Sequence, residues 1–213
     1  MAQLYIQLIP SFTGIIRINN LVYVLSDSFE IHNANRPGGI GNVSPHVVYL
    51  LMDCSSSMDG DPLEQAKEGA LQFADDARER GYRVGLIRFA DSANALHNPD
   101  TGFTNAIYSL SAYGTTNLAA ALELGIEQLV REAAGQKVMC VVTDGMPDSE
   151  RKALAQARRA AQNGISIMVI GTSGADRAFL AKLATTSGLS NYVSQDKLQQ
   201  GITDMARLLP PKS

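Results

Sequence analysis

From Val47 onward, short apolar runs alternate with amphipathic segments, and this alternation constrains the fold more than any other feature of the chain. The run His46-Val47-Val48-Tyr49-Leu50-Leu51-Met52 is rich in β-formers and has no polar face, the pattern of a strand buried on both sides. Pro62 then opens a helix behind Asp61 as its expected cap, with Leu63, Ala66, Ala70, Phe73, Ala74 and Ala77 at helical spacing. Gly81 closes that helix, and Arg83 to Phe89 reads as the next strand, with a weaker strand at Asn94 to His97. A helix capped by Asn117, a buried strand from Lys137 to Thr143, and a helix from Arg151 to Asn163 follow. The chain closes with a strand at Ile165 to Ile170, a helix at Asp176 to Thr185, a short strand at Asn191 to Val193 and a helix from Asp196 to Leu209. Such alternation predicts an α/β fold: a doubly wound, mostly parallel sheet with helices on both faces.

The first part of the chain departs from this rhythm. Leu4, Ile6 and Leu8 alternate with other residues, as do Ile16 and Ile18, and Asn19-Asn20 reads as a two-residue hairpin turn before Leu21 to Leu25. Residues 1–44 are therefore expected to form a small antiparallel β extension of two or three strands with a Gly-rich linker, and residues 45–213 the main domain. The 213-residue length suits one domain with an appendage.

Lys and Arg total 18 against 21 Asp and Glu, a net charge of −3 that gives nucleic acid or an anionic membrane no electrostatic hold. Two cysteines without a CxxC pair supply neither a disulfide framework nor a zinc site. No apolar run approaches the ~20 residues of a membrane helix. Residues 1–10 carry no Lys or Arg and do not read as a secretory leader, so a reducing, cytoplasmic setting is expected.

The first buried strand ends in Asp53-Cys54-Ser55-Ser56-Ser57-Met58-Asp59-Gly60. A carboxylate and two hydroxyls at alternate positions can converge on one small hard cation, for which magnesium, with its preference for oxygen, is the natural choice. Alone, the loop reads equally well as Asp53 capping a turn among solvating serines. Two further segments shift the balance. Thr143-Asp144-Gly145 places a second carboxylate at a second strand end, and Gly114-Thr115-Thr116-Asn117 offers hydroxyls just before a helix. In a doubly wound sheet of order 3-2-1-4-5-6, Asp53 and Asp144 lie on neighbouring strands at the reversal, beside the crevice where such folds bind ligands.

Asp53-x-Ser55-x-Ser57-Met58-x-Gly60, Gly114-x-Thr116-Asn117 and Thr143-Asp144-Gly145 together resemble the metal-ion-dependent adhesion site of von Willebrand factor type A domains. The resemblance covers about Val47 to Leu209. It implies that Ser55, Ser57 and Thr116 coordinate Mg2+, with Mn2+ or Ca2+ as substitutes, while Asp53 and Asp144 act largely through water. It also implies a non-catalytic protein-interaction module whose partner completes the metal shell with an exposed Asp or Glu. Partners of the kind the family suggests include an AAA-type ATPase or a larger assembly; the oligomeric state is not legible. Neutral hydroxyl donors leave the cation with residual positive charge, which an incoming carboxylate satisfies. This chain differs from the family in carrying Ser56 where Gly is usual.

Two other readings compete. A magnesium-dependent phosphotransferase would use Asp53 as nucleophile, but haloacid-dehalogenase-style chemistry needs a second Asp where Ser55 stands. A scaffold that keeps the fold and leaves the metal site empty is the other. No G-x-S-x-G elbow or P-loop is present, and His32, His46 and His97 are scattered. Asp148 belongs to the rim of the site or simply solvates its loop.

Overall fold

The computed structural model describes residues 5–8, 14–18, 21–25, 31–33, 45–97, 99, 102–172, 174–185 and 187–210. The chain divides into two compact units, Met1–Val43 and Ser44–Ser213. In the first, β1 (Tyr5–Leu8), β2 (Gly14–Ile18), β3 (Leu21–Leu25) and β4 (Ile31–Asn33) form an antiparallel sheet in chain order. Ile18 pairs with Leu21, whereas the expected Asn19-Asn20 turn and the Gly-rich linker lie outside the described residues. The fourth strand exceeds the two or three read from the sequence, because three residues are too few to display an alternating pattern.

The second unit is built on six strands: β5 (His46–Asp53), β6 (Tyr82–Phe89), β7 (Ala93–His97), β8 (Lys137–Thr143), β9 (Ile165–Gly171) and β10 (Ser190–Tyr192). Their order is β10-β9-β8-β5-β6-β7, and every neighbouring pair is parallel except β6 with β7. Counted from the start of this unit, that is 3-2-1-4-5-6, with the reversal between β5 and β8. β5 is buried along its whole length because it lies at the centre of the sheet with helices on both faces.

Alternate residues of β5 feed two separate interiors. Val48, Leu50 and Met52 pack with α1 (Asp61–Glu79), α2 (Phe103–Tyr108) and α6 (Leu198–Arg207). Val47, Tyr49 and Leu51 pack with α3 (Leu118–Arg131), α4 (Glu150–Gln162) and α5 (Arg177–Leu183). Each fully buried large apolar side chain contributes roughly 1.5–3 kcal/mol. Tyr49 fits because Gly85 is its neighbour on β6; a Cβ there would lie 2.4 Å from the tyrosine ring.

Two details differ from the sequence reading. The N-cap of α1 is Gly60, whose φ of 78° suits a residue without a Cβ, and Asp61 is already the first helical residue. α2 was not anticipated: six residues with only Phe103 and Ile107 buried carry too little periodicity to stand out. No helix among the described residues is long and apolar enough to cross a membrane.

Candidate metal centre

The reversal of strand order brings the ends of β5 and β8 side by side, so Asp53 and Thr143 close adjacent strands and Asp144 follows directly. Asp53 is fully buried. Its Oδ1 accepts the Ser55 backbone N–H at 2.8 Å and its Oδ2 accepts the Thr143 hydroxyl at 2.6 Å. Burial pushes the Asp53 carboxyl up to about 6; the hydrogen bonds from Thr143 and Ser55 oppose that rise, and the Asp144 charge adds to it. Asp144 is also raised by burial, with the Ser57 hydroxyl pulling the other way.

The loop after Asp53 tightens into a 3-10 turn, Ser56–Met58, anchored by the buried Met58. Ser57 donates its hydroxyl to Asp144 Oδ1 at 2.7 Å. Its single proton is thereby committed, so the 3.0 Å contact between the Ser55 and Ser57 oxygens runs from Ser55 as donor. A relay from Ser55 through Ser57 to Asp144 joins the first and third loops. Ser56 serves a different purpose. Its N–H and its hydroxyl both donate to Gly114 O at 3.1 Å, tying the first loop to the second. The residue that departs from the family pattern thus adopts a right-handed turn and adds a cross-link.

Thr116 is nearly buried, at 7% exposure, just ahead of the Asn117 cap that accepts the Ala120 N–H of α3. A Cβ built on Gly145 would lie 3.5 Å from Ser57 Oγ and 3.6 Å from Thr116 Oγ1, so both hydroxyls gather over this glycine. All five residues expected at the site thus come to one edge of the sheet: Asp53, Ser55, Ser57 and Asp144 in a hydrogen-bonded chain with Thr143, and Thr116 over Gly145.

Two further residues hold these loops: Asp148, expected at the rim or as loop solvation, and Asp91, which sequence reasoning missed. Asp148 accepts the Thr116 N–H at 3.0 Å and the Thr115 hydroxyl at 2.9 Å, while its own N–H donates to Thr116 O. It clamps the second loop. Asp91 accepts the Thr115 N–H at 2.7 Å from the other side. Neither role has a local signature, because each partner is more than twenty positions away. Cys54, next to Asp53, is fully buried, and burial holds its thiol up to about 12.

The donor set is oxygen alone. Among the described residues no group of three or more His, Cys, Asp and Glu side chains is placed to bind a metal. Hydroxyls must therefore carry part of any coordination here, which suits a small hard cation. The charges fit as well. Two carboxyls are buried near one another, and hydrogen bonds only partly offset the cost at Asp53. A divalent ion held by Ser55, Ser57 and Thr116, with Asp53 and Asp144 beside it, would relieve that cost.

Comparison with known proteins places this arrangement. The model of the von Willebrand factor type A domain matches residues 48–207. No curated protein matches by sequence. Among solved structures, proximal thread matrix protein 1 from the mussel byssus superposes with a TM-score of 0.67 at 20% identity, over 80% of this chain and 48% of that one. The chain therefore spans about half the length of the mussel protein. A second structure of that protein, with a zinc-occupied site of the metal-ion-dependent adhesion type, gives 0.65 at 21% identity, over 81% and 49%. The von Willebrand factor domain of the type V pilus tip protein Mfa5 from Porphyromonas gingivalis gives 0.68 at 14%, over 78% of this chain and 95% of that one. At these identities the likeness is one of fold. The family match covers most of the chain, its strand order and its sheet-edge loops, and the chain belongs to the von Willebrand factor type A domain family.

Proposed function

We propose that this domain is a non-catalytic interaction module that binds Mg2+, with Mn2+ or Ca2+ able to substitute, and recruits a protein partner through an exposed Asp or Glu. The observation that carries this reading is the gathering of three loops around Asp53. The hydroxyls of Ser55, Ser57 and Thr116 and the carboxylate of Asp144 meet there at the carboxyl edge of the sheet. Ser55, Ser57 and Thr116 would hold the ion; Asp53 and Asp144 would act beside it, largely through water. A bound divalent ion supplies residual positive charge, which a partner carboxylate neutralises better than a hydroxyl can. The zinc in the mussel structure supports a metal at a site of this type on the same fold.

This chain's own residues do the rest. Asp53 is fixed by Ser55 N–H and Thr143 and holds the first loop in register with the third. Asp148 and Asp91 pin the Thr116 loop from both sides, so the hydroxyls are ordered by the fold. Ser55 stands where carboxylate-based phosphoryl transfer would need a second Asp, which argues against that chemistry.

The test is isothermal titration of the protein with MgCl2, MnCl2 and CaCl2, before and after chelator, followed by a short Asp-containing peptide. The reading expects saturable metal binding that Asp53→Ala abolishes, and peptide binding only in the presence of metal. Wild-type protein that takes up no divalent ion would overturn it.

A further inference from the structure

Among the described residues of the second unit six large apolar side chains are exposed, and two of them sit on the loops that build the metal centre: Tyr113 at 43% and Met146 at 48%. Tyr113 directly precedes Gly114, and its backbone N–H donates to Cys54 O at 2.8 Å, so it runs alongside the Asp53–Ser57 loop. Met146 directly follows Gly145, over which the Ser57 and Thr116 hydroxyls gather. Tyrosine, methionine and arginine are the residue types enriched where proteins bind one another. Isolated surface apolar groups need no explanation, but here two border the same polar loop, Asp53–Ser57, from its two neighbouring loops.

The tyrosine is held in place. The Arg88 guanidinium lies 4.6 Å from the centroid of the Tyr113 ring and donates to its hydroxyl. A ring fixed in this way loses little freedom when a partner covers it. Arg88 also brings a positive charge beside Tyr113, which favours an acidic partner segment there.

We infer that Tyr113 and Met146 are apolar anchors flanking the metal centre, and that the partner segment carries its acidic residue between large apolar side chains. The inference rests on the metal-dependent reading above and adds to it which acidic segments are preferred. A carboxylate among small polar neighbours would satisfy the ion but leave Tyr113 and Met146 in water; one set between apolar side chains covers them.

Two short synthetic peptides test this, each with a central Asp, flanked on both sides by Phe in one and by Ser in the other. Both are titrated into the whole protein by calorimetry in magnesium and in EDTA. The Phe-flanked peptide should bind wild-type protein about tenfold tighter in magnesium, and the double variant Tyr113→Ser, Met146→Ser should bring the two peptides within about twofold. The variant should keep its magnesium affinity, since neither side chain belongs to the oxygen set, and Tyr113→Phe should retain the preference. Equal affinities in wild-type protein, or a preference undiminished in the double variant, would overturn the inference while the metal-dependent reading stands. Failure of wild-type protein to bind magnesium would remove both.

Discussion

Replacing Asp53 by Asn should make the metal-free protein more stable and, at the same time, blind to magnesium. In the metal-free fold Asp53 keeps its proton up to about pH 6, whereas in the unfolded chain it ionises near 3.8. The ionised group therefore opposes folding fully above pH 6, and its opposition fades as pH falls toward 3.8. The difference corresponds to roughly 3 kcal/mol at neutral pH. Asparagine preserves the local bonds. Its oxygen still accepts the Ser55 N–H, and its amide donates to Thr143 Oγ1, which turns its own proton toward Gly145 O at 3.5 Å. For a unit of this size the gain is a rise in melting temperature of about 6–12 °C in EDTA at pH 7.5. Wild-type protein, by contrast, gains about 2.7 kcal/mol when magnesium reaches a hundredfold excess over its Kd, and the variant gains none. Thermal unfolding followed by circular dichroism, with each protein in EDTA and in magnesium, reads both effects. An Asp53→Asn protein that melts no higher than wild type in EDTA, or that magnesium still stabilises, would refute the reasoning.

Other perturbations probe the supporting structure. Asp148→Ala removes both bonds that pin Thr115 and Thr116, and magnesium affinity measured by calorimetry should fall about tenfold or more with little change in melting temperature. Gly174→Ala would place a Cβ 2.0 Å from the Asp144 backbone oxygen, so it should displace Asp144, cost about 1–3 kcal/mol in urea unfolding and weaken magnesium binding. Cys54 and Cys140 are fully buried, with thiols pushed up to about 12, so a chromogenic disulfide reagent should find no reactive thiol until denaturant is added.

The central strands β5, β8 and β9 were legible because they are buried on both faces and read as largely apolar runs, as at Val138 to Val142. Asp53 and Asp144 were legible for the same reason: a carboxylate that ends such a run sits at a known edge of the sheet. Thr116 has no such marker and was found through the family pattern of its neighbours. Asp91 escaped altogether, and the clamping role of Asp148 escaped behind its reading as a rim residue, because both act on backbone N–H groups of a loop remote in sequence. α2 and β4 are too short for their side chains to display a period. Asp61 was taken for a cap on residue type, but Gly60 occupies the cap position in a positive-φ conformation and the helix starts one residue earlier than expected, at Asp61.

The two interiors on either side of the sheet are joined at one conspicuous place. Cys54 and Met58, in the loop that carries Ser55 and Ser57, belong to the packing on one side, while Leu118, two residues beyond Thr116, belongs to the other. The bonds from Ser56 to Gly114 and from Tyr113 to Cys54 cross between them. A helix layer that shifts on either side must therefore drag its own loop across that seam and part the hydroxyls. Filling the cluster should therefore steady both loops, and hydrogen exchange at Ser56 and Tyr113 should slow together.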